Sequence, residues 1–177
     1  MRFHTLSIVF WAVPRTVISI VFALSVIPAL ANDCAVAAKS AMVATAQKPL
    51  STITIKTSAQ GKQSVTRTVQ TETNKYVQVE SGEWYSMDIA IKDLIDNSKS
   101  TKVVCKRSGS DMVNGQPTIV YEVQIDTEGI IMESKMWVSA QNLILKSEGN
   151  EGTSHYTTIY DSSHVTPPTN AKRMGGN

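Results

Sequence analysis

This sequence has little of what catalysis requires. Its 177 residues include three histidines and two cysteines, and only 18% are charged. His155, His164 and Asp161 form at most a weak ligand set, whereas a closed zinc site needs about four ligands. There is no G-x-S-x-G elbow and no glycine loop to cradle a phosphate. The serines lie in turns and strands without a histidine and acid to activate them, and the scattered carboxylates offer no acid–base pair. No catalytic residue, metal or cofactor is expected, and the chain is not read as an enzyme. Nucleic acid is not expected either. The net charge is only +2, the excess resides in Arg2 and Arg15, and no basic patch with interleaved aromatics follows. No internal repeat, low-complexity tract or linker divides the chain.

What is present begins with a leader. Arg2 and Arg15 precede the apolar run "VISIVFALSVI" (17–27), then Pro28 and Ala29-Leu30-Ala31. A positive start, a short apolar centre and an A-x-A end describe a secretory signal peptide cleaved after Ala31. The alternative is a retained anchor, but the core after Arg15 is shorter than the ~20 residues of a bilayer span. Asn32 and Asp33 precede Cys34, so the small residue that lipidation requires is missing and Cys34 is not a lipid anchor. The expected domains are a signal peptide over 1–31, one globular domain over 32–166 and a flexible polar, prolyl tail over 167–177. The expected location is periplasmic or secreted.

Two cysteines, Cys34 and Cys105, in an exported chain read as one disulfide. Two free buried thiols or a redox pair are the alternatives, and the missing C-x-x-C spacing argues against the latter.

The stretch 33–48 is alanine-rich, lacks glycine and ends at Pro49. It predicts a helix capped by Asp33, with Ala35, Val36, Met42, Val43 and Ala46 on its apolar side and Lys39 spoiling that stripe. Beyond Pro49 the period changes to 2. "LSTITIKTS", "QSVTRTVQTET", "KYVQVE" and "EWYSM" read as four short strands, the last two joined at Ser81-Gly82. "MDIAIKDLIDNSKS" (87–100) reads as a second helix capped by Asp88. Five strands then follow, the first two joined at Asn114-Gly115. The class is α+β: a strongly curved antiparallel sheet, an open half-barrel, with helices over its concave face.

Three side chains invite two readings each. Arg67, flanked by Val65 and Val69, is either a polar latch or ligand anchor under the helices, or a rim residue with its head in water. Trp84 and Trp137 either line a pocket or seal the core.

The order of leader, amphipathic helix and strands from "STITIKTSAQGKQ" to "YTTIYDSSHVTPP" resembles the periplasmic lipoprotein-carrier superfamily (LolA/LolB-like). "NKYVQVESGEWYS" is similar to its aromatic–turn–tryptophan hairpin, and "ESKMWVSAQNLILKSE" to its lysine-to-tryptophan strand and return. The resemblance implies a half-barrel around an apolar cavity that holds a hydrophobic ligand, a lipid or lipoprotein acyl chain. In this sequence Ile53, Ile55, Val65, Arg67, Tyr121, Val123 and Ile125 are the candidate cavity residues. The expected partners are that ligand or a lipoprotein, with transient membrane or envelope-protein contact, and the expected state is a monomer. The chain departs from the carriers by having "TETNKYVQVES" where they carry a proline- and arginine-containing stretch, and by its cysteine pair. The competing expectation is an exported protein–protein interaction module with a packed, ligand-free core.

Overall fold

The computed structural model describes residues 27–89, 101–127 and 130–174. Helix α1 spans Ile27–Ala46 and so extends to both sides of Ala31. Asp33 is therefore inside the helix rather than its cap. Pro28 falls in the first turn, where no helical N–H is lost, and the helix stops short of Pro49.

The buried stripe of α1 is Cys34, Ala38, Ala41 and Thr45, spaced four, three and four residues apart. Of the expected stripe, Ala35 and Met42 are partly buried against the core, whereas Val36 is 64% exposed. Alanines at the contact let the helix backbone lie close to the sheet. Thr45 fixes the end: its hydroxyl donates to the Ala41 carbonyl (2.7 Å) and accepts from the Ile144 N–H (2.9 Å).

Ten strands follow. They are β1 (Leu50–Thr57), β2 (Gln63–Gln70), β3 (Asn74–Val79), β4 (Trp84–Asp88), β5 (Lys102–Val113), β6 (Gln116–Thr127), β7 (Ile130–Ser139), β8 (Ile144–Glu151), β9 (Ser154–Asp161) and β10 (Lys172–Arg173). They form one unclosed, curved sheet in the order β10-β4-β3-β2-β1-β9-β8-β7-β6-β5, antiparallel except for the β10–β4 pair. The α+β half-barrel class read from the sequence is the observed one, with one helix among the described residues. The Asn114-Gly115 turn joins β5 to β6, both residues with positive φ (50° and 77°), as a type I′ hairpin demands. Of the second expected helix, Asp88 instead ends β4, and residues 90–100 lie outside the described residues.

Helix α1 covers one face of the β5–β8 half. Cys34, Ala38 and Ala41 pack there against Cys105, Tyr121, Val123, Met136, Val138 and Ile144. A smaller core on the opposite face joins Val113, Val120 and Trp137. From β9 to β10 the chain must pass β1 to β4, and Ser51 Oγ donates to the His164 carbonyl (3.1 Å) as it departs. Part of the segment expected to be loose is thus attached to the sheet edge. Arg173–Asp88 and Lys172–Glu83 ion pairs (2.7 Å each) and the Met174 N–H on the Ser86 carbonyl hold it.

Gly149 in β8 sits beneath its cross-strand partner Tyr156. A methyl group there would meet the Tyr156 hydroxyl at 2.5 Å and the Glu133 carbonyl at 2.8 Å. The backbone oxygen has no freedom to move aside. Gly149→Ala is expected to lower stability by about 1–3 kcal/mol, read as a fall in denaturant midpoint; an unchanged midpoint would contradict this packing.

Candidate functional site

Directly paired residues of neighbouring strands share a face of the sheet, so the faces can be traced through the register. Val123, under the helix, leads through Ser134, Gly149 and Tyr156 to Lys56 on β1. On β1 the helix side therefore bears Leu50, Thr52, Thr54 and Lys56. Ile53 and Ile55 point to the other side, and so do their β2 partners Arg67 and Val65.

The seven expected cavity residues are thus split. Tyr121, Val123 and Ile125 lie on the helix side, the first two buried in the main core and Ile125 packed against it. Ile53 and Ile55 are 45% and 38% exposed on the opposite face, with Val65 half-buried beside them. Arg67 is exposed on that same face and donates to the Glu80 carbonyl (3.0 Å) across the β2–β3 hairpin. It makes no latch to the helix.

That latch is Gln70, a residue that carries no pattern in the sequence. It is buried on the helix side of β2, and its Nε2 donates to the Ala46 carbonyl at the helix end (2.7 Å). The hydrogen bond satisfies one of the carbonyls that a helix terminus leaves unpaired. Gln70 and Thr45 together set the gap between the last turn of α1 and strands β1, β2 and β9.

The gap is a cleft of about 360 Å³. Met42, Leu50, Ile144 and Tyr160 give it apolar walls, and Thr52, Thr54, Thr68 and Thr158 line its floor. Threonine is small enough to leave space and presents a methyl group as well as a hydroxyl. Thr54 and Thr158 satisfy each other at 2.9 Å. The Tyr160 hydroxyl lies 3.2 Å from Ser147 Oγ, and burial pushes its pKa upward. Beyond the cleft the same face continues as Val77, Val79, Tyr85 and Met87 on β3 and β4. Val79 and Tyr85 are 59% and 39% exposed.

A larger groove, about 590 Å³, spans β5 to β9, and its charged walls mark the opposite face. Lys106, Glu122, Lys135 and Glu148 follow one another across four strands there, with Lys135 and Glu122 3.5 Å apart. That alternation suits solvent or a polar partner, not an apolar one. Trp137 seals the small core beside it. Its indole N–H donates to Asp111 (3.0 Å), holding that carboxyl below its ordinary pKa, and Lys146 lies 4.3 Å from the ring centre. Trp84, partly buried, pairs with Gln78 on the same face.

Cys34 and Cys105 form a disulfide with Cα atoms 5.7 Å apart, fastening α1 to β5. His155 contacts Asn150 and His164 contacts Ser163. Among the described residues no three His, Cys, Asp or Glu side chains gather as a metal site. No described helix is long and apolar enough to cross a membrane.

No protein-family model and no curated protein matches the sequence. Solved structures similar in fold include LprF from Mycobacterium bovis, 12% identical over 79% of this chain and 98% of that one, with a TM-score of 0.49. MucB is 14% identical over 77% of this chain and 61% of its own, with a TM-score of 0.44. The LolA superfamily protein NE2245 from Nitrosomonas europaea is 8% identical over 78% of this chain and 95% of its own, with a TM-score of 0.33.

Proposed function

We propose that this chain is an exported, non-enzymatic binding protein that shelters an apolar ligand in the cleft between α1 and strands β1, β2 and β9. The observation that carries this reading is incomplete coverage of the helix-side face. α1 packs on β5, β6 and β8, and beside it remains a cleft of about 360 Å³ with apolar walls. That volume falls within the roughly 300–1,000 Å³ of small-molecule sites. The face runs on from the cleft to exposed Val79 and Tyr85, which would extend the contact along a chain-like ligand.

Export rests on the leader, with cleavage at Ala31 and release to the periplasm or medium as a monomer. The disulfide suits an oxidising compartment. A lipid or lipoprotein acyl chain fits the cleft chemically, and delivery of such a ligand would bring transient contact with membrane or envelope proteins. The charged groove supports the second reading, partner-protein binding on the opposite face.

Native mass spectrometry of the protein purified from its own envelope separates the two. The expected result is a mature chain beginning at Asn32 that carries an apolar adduct, which organic extraction removes. A ligand-free chain bound to one stoichiometric protein would favour the second reading instead.

A further inference from the structure

We infer that the ligand of the helix-side cleft is an anionic amphiphile whose head group is held by Lys75. The inference rests on the binding reading above and narrows it to a chemical class. Lys75 lines the cleft together with Met42, Leu50 and Tyr160. Its register places it in the row Leu50–Gln70–Lys75–Met87, where β2 and β3 pass beyond the end of α1. The side chain is half-buried, and among the described residues it has no ion pair and no hydrogen bond.

The charge balance of the face is lopsided. Among the described residues, tracing the register over β1 to β4 and β8 to β10 places Lys56, Lys75 and Lys172 on the helix side, with Lys172 paired to Glu83 (2.7 Å) and one strand carboxylate, Glu151. Glu151 is already paired with Lys56 at 2.6 Å. Among the described residues Lys75 has no carboxylate partner at the cleft, so its ammonium is available to an anion. The carboxylate-free lining also means that an anionic head meets no repulsion from side chains there. One opposing element exists, the negative end of the α1 dipole. Gln70 stands between it and Lys75 and caps the Ala46 carbonyl at 2.7 Å, so the exposed terminal charge is reduced where the head would sit.

The roles divide along the cleft. Met42, Leu50, Ile144 and Tyr160 take the hydrocarbon, and the ammonium of Lys75 takes the acid. A long-chain carboxylate and an acidic lipid share this chemistry.

Calorimetric titration of the mature, oxidised protein with dodecanoate, 1-dodecanol and dodecyltrimethylammonium, each below its aggregation threshold, tests the assignment. Dodecanoate should bind about tenfold tighter than the alcohol, the scale of one charge-assisted contact, and the cation should bind weakest. Lys75→Met should abolish the preference for the acid while retaining alcohol binding, and Lys75→Arg should keep it. Equal affinity for the acid and the alcohol, or a preference that survives Lys75→Met, would overturn the anionic assignment and leave the apolar site standing. Binding of none of the three would overturn the site as well.

Discussion

Cys105→Ala is expected to lower the stability of the oxidised protein by about 4 kcal/mol. The bridge closes a loop with a sequence separation of 71 residues, and closing a loop of that size removes much conformational freedom from the unfolded chain. Both cysteines are buried in the main core, so the alanine also leaves space where sulfur was packed. The consequence is local as well as global. Cys34 is the covalent tie between α1 and β5, and loss of it loosens the helix whose last turn forms one wall of the cleft. Denaturation by urea with and without reductant gives the measurement. Reduced wild-type protein should approach the variant, and the variant should not respond to reductant. Wild-type protein indifferent to reductant, with two thiols that alkylate on denaturation, would contradict the bridge.

Much of the architecture was legible. Turn chemistry located the hairpins, since Asn114-Gly115 and Ser81-Gly82 sit where the strands reverse, and the period-2 runs became β1 to β4 and β5 to β9. An even cysteine count behind an expected export leader anticipated the disulfide. The faces were a different matter. Alternation says that Ile53 and Ile55 share a side, but it cannot say which side a helix covers. Here the covered side bears threonines, because the helix packs over the other half of the sheet and the space beside it remains a cleft. The helix stripe is displaced for a related reason: small Ala38 and Ala41 at its centre bring α1 close, Ala35 and Met42 pack at its margin, and the larger Val36 faces water. Gln70 could have been suspected only from its position next to the end of a strand, since a glutamine amide carries no pattern. Lys172 and Arg173 carry no strand signal either. Backbone pairing to β4 and two exposed ion pairs, not propensity, attach them.

The split between the faces makes the central claim testable with two substitutions of the same kind. Thr68 lies on the floor of the cleft, and Val65, three residues earlier on the same strand, points to the opposite face. Thr68→Phe should place its ring in existing space. Filling a cavity avoids the overpacking that a ring causes in a dense core, so the denaturant midpoint should change little. The ring would occupy volume that an apolar ligand needs, and affinity for a fluorescent fatty-acyl probe should fall by at least about tenfold, equivalent to ~1.4 kcal/mol. Val65→Phe adds similar bulk where the account places no ligand, and probe affinity should stay at the wild-type value. Titrating wild type, Thr68→Phe and Val65→Phe with one probe is the decisive measurement. Loss of binding in Thr68→Phe alone is expected; unchanged affinity in Thr68→Phe, or a loss in Val65→Phe instead, would contradict a ligand site between α1 and the sheet.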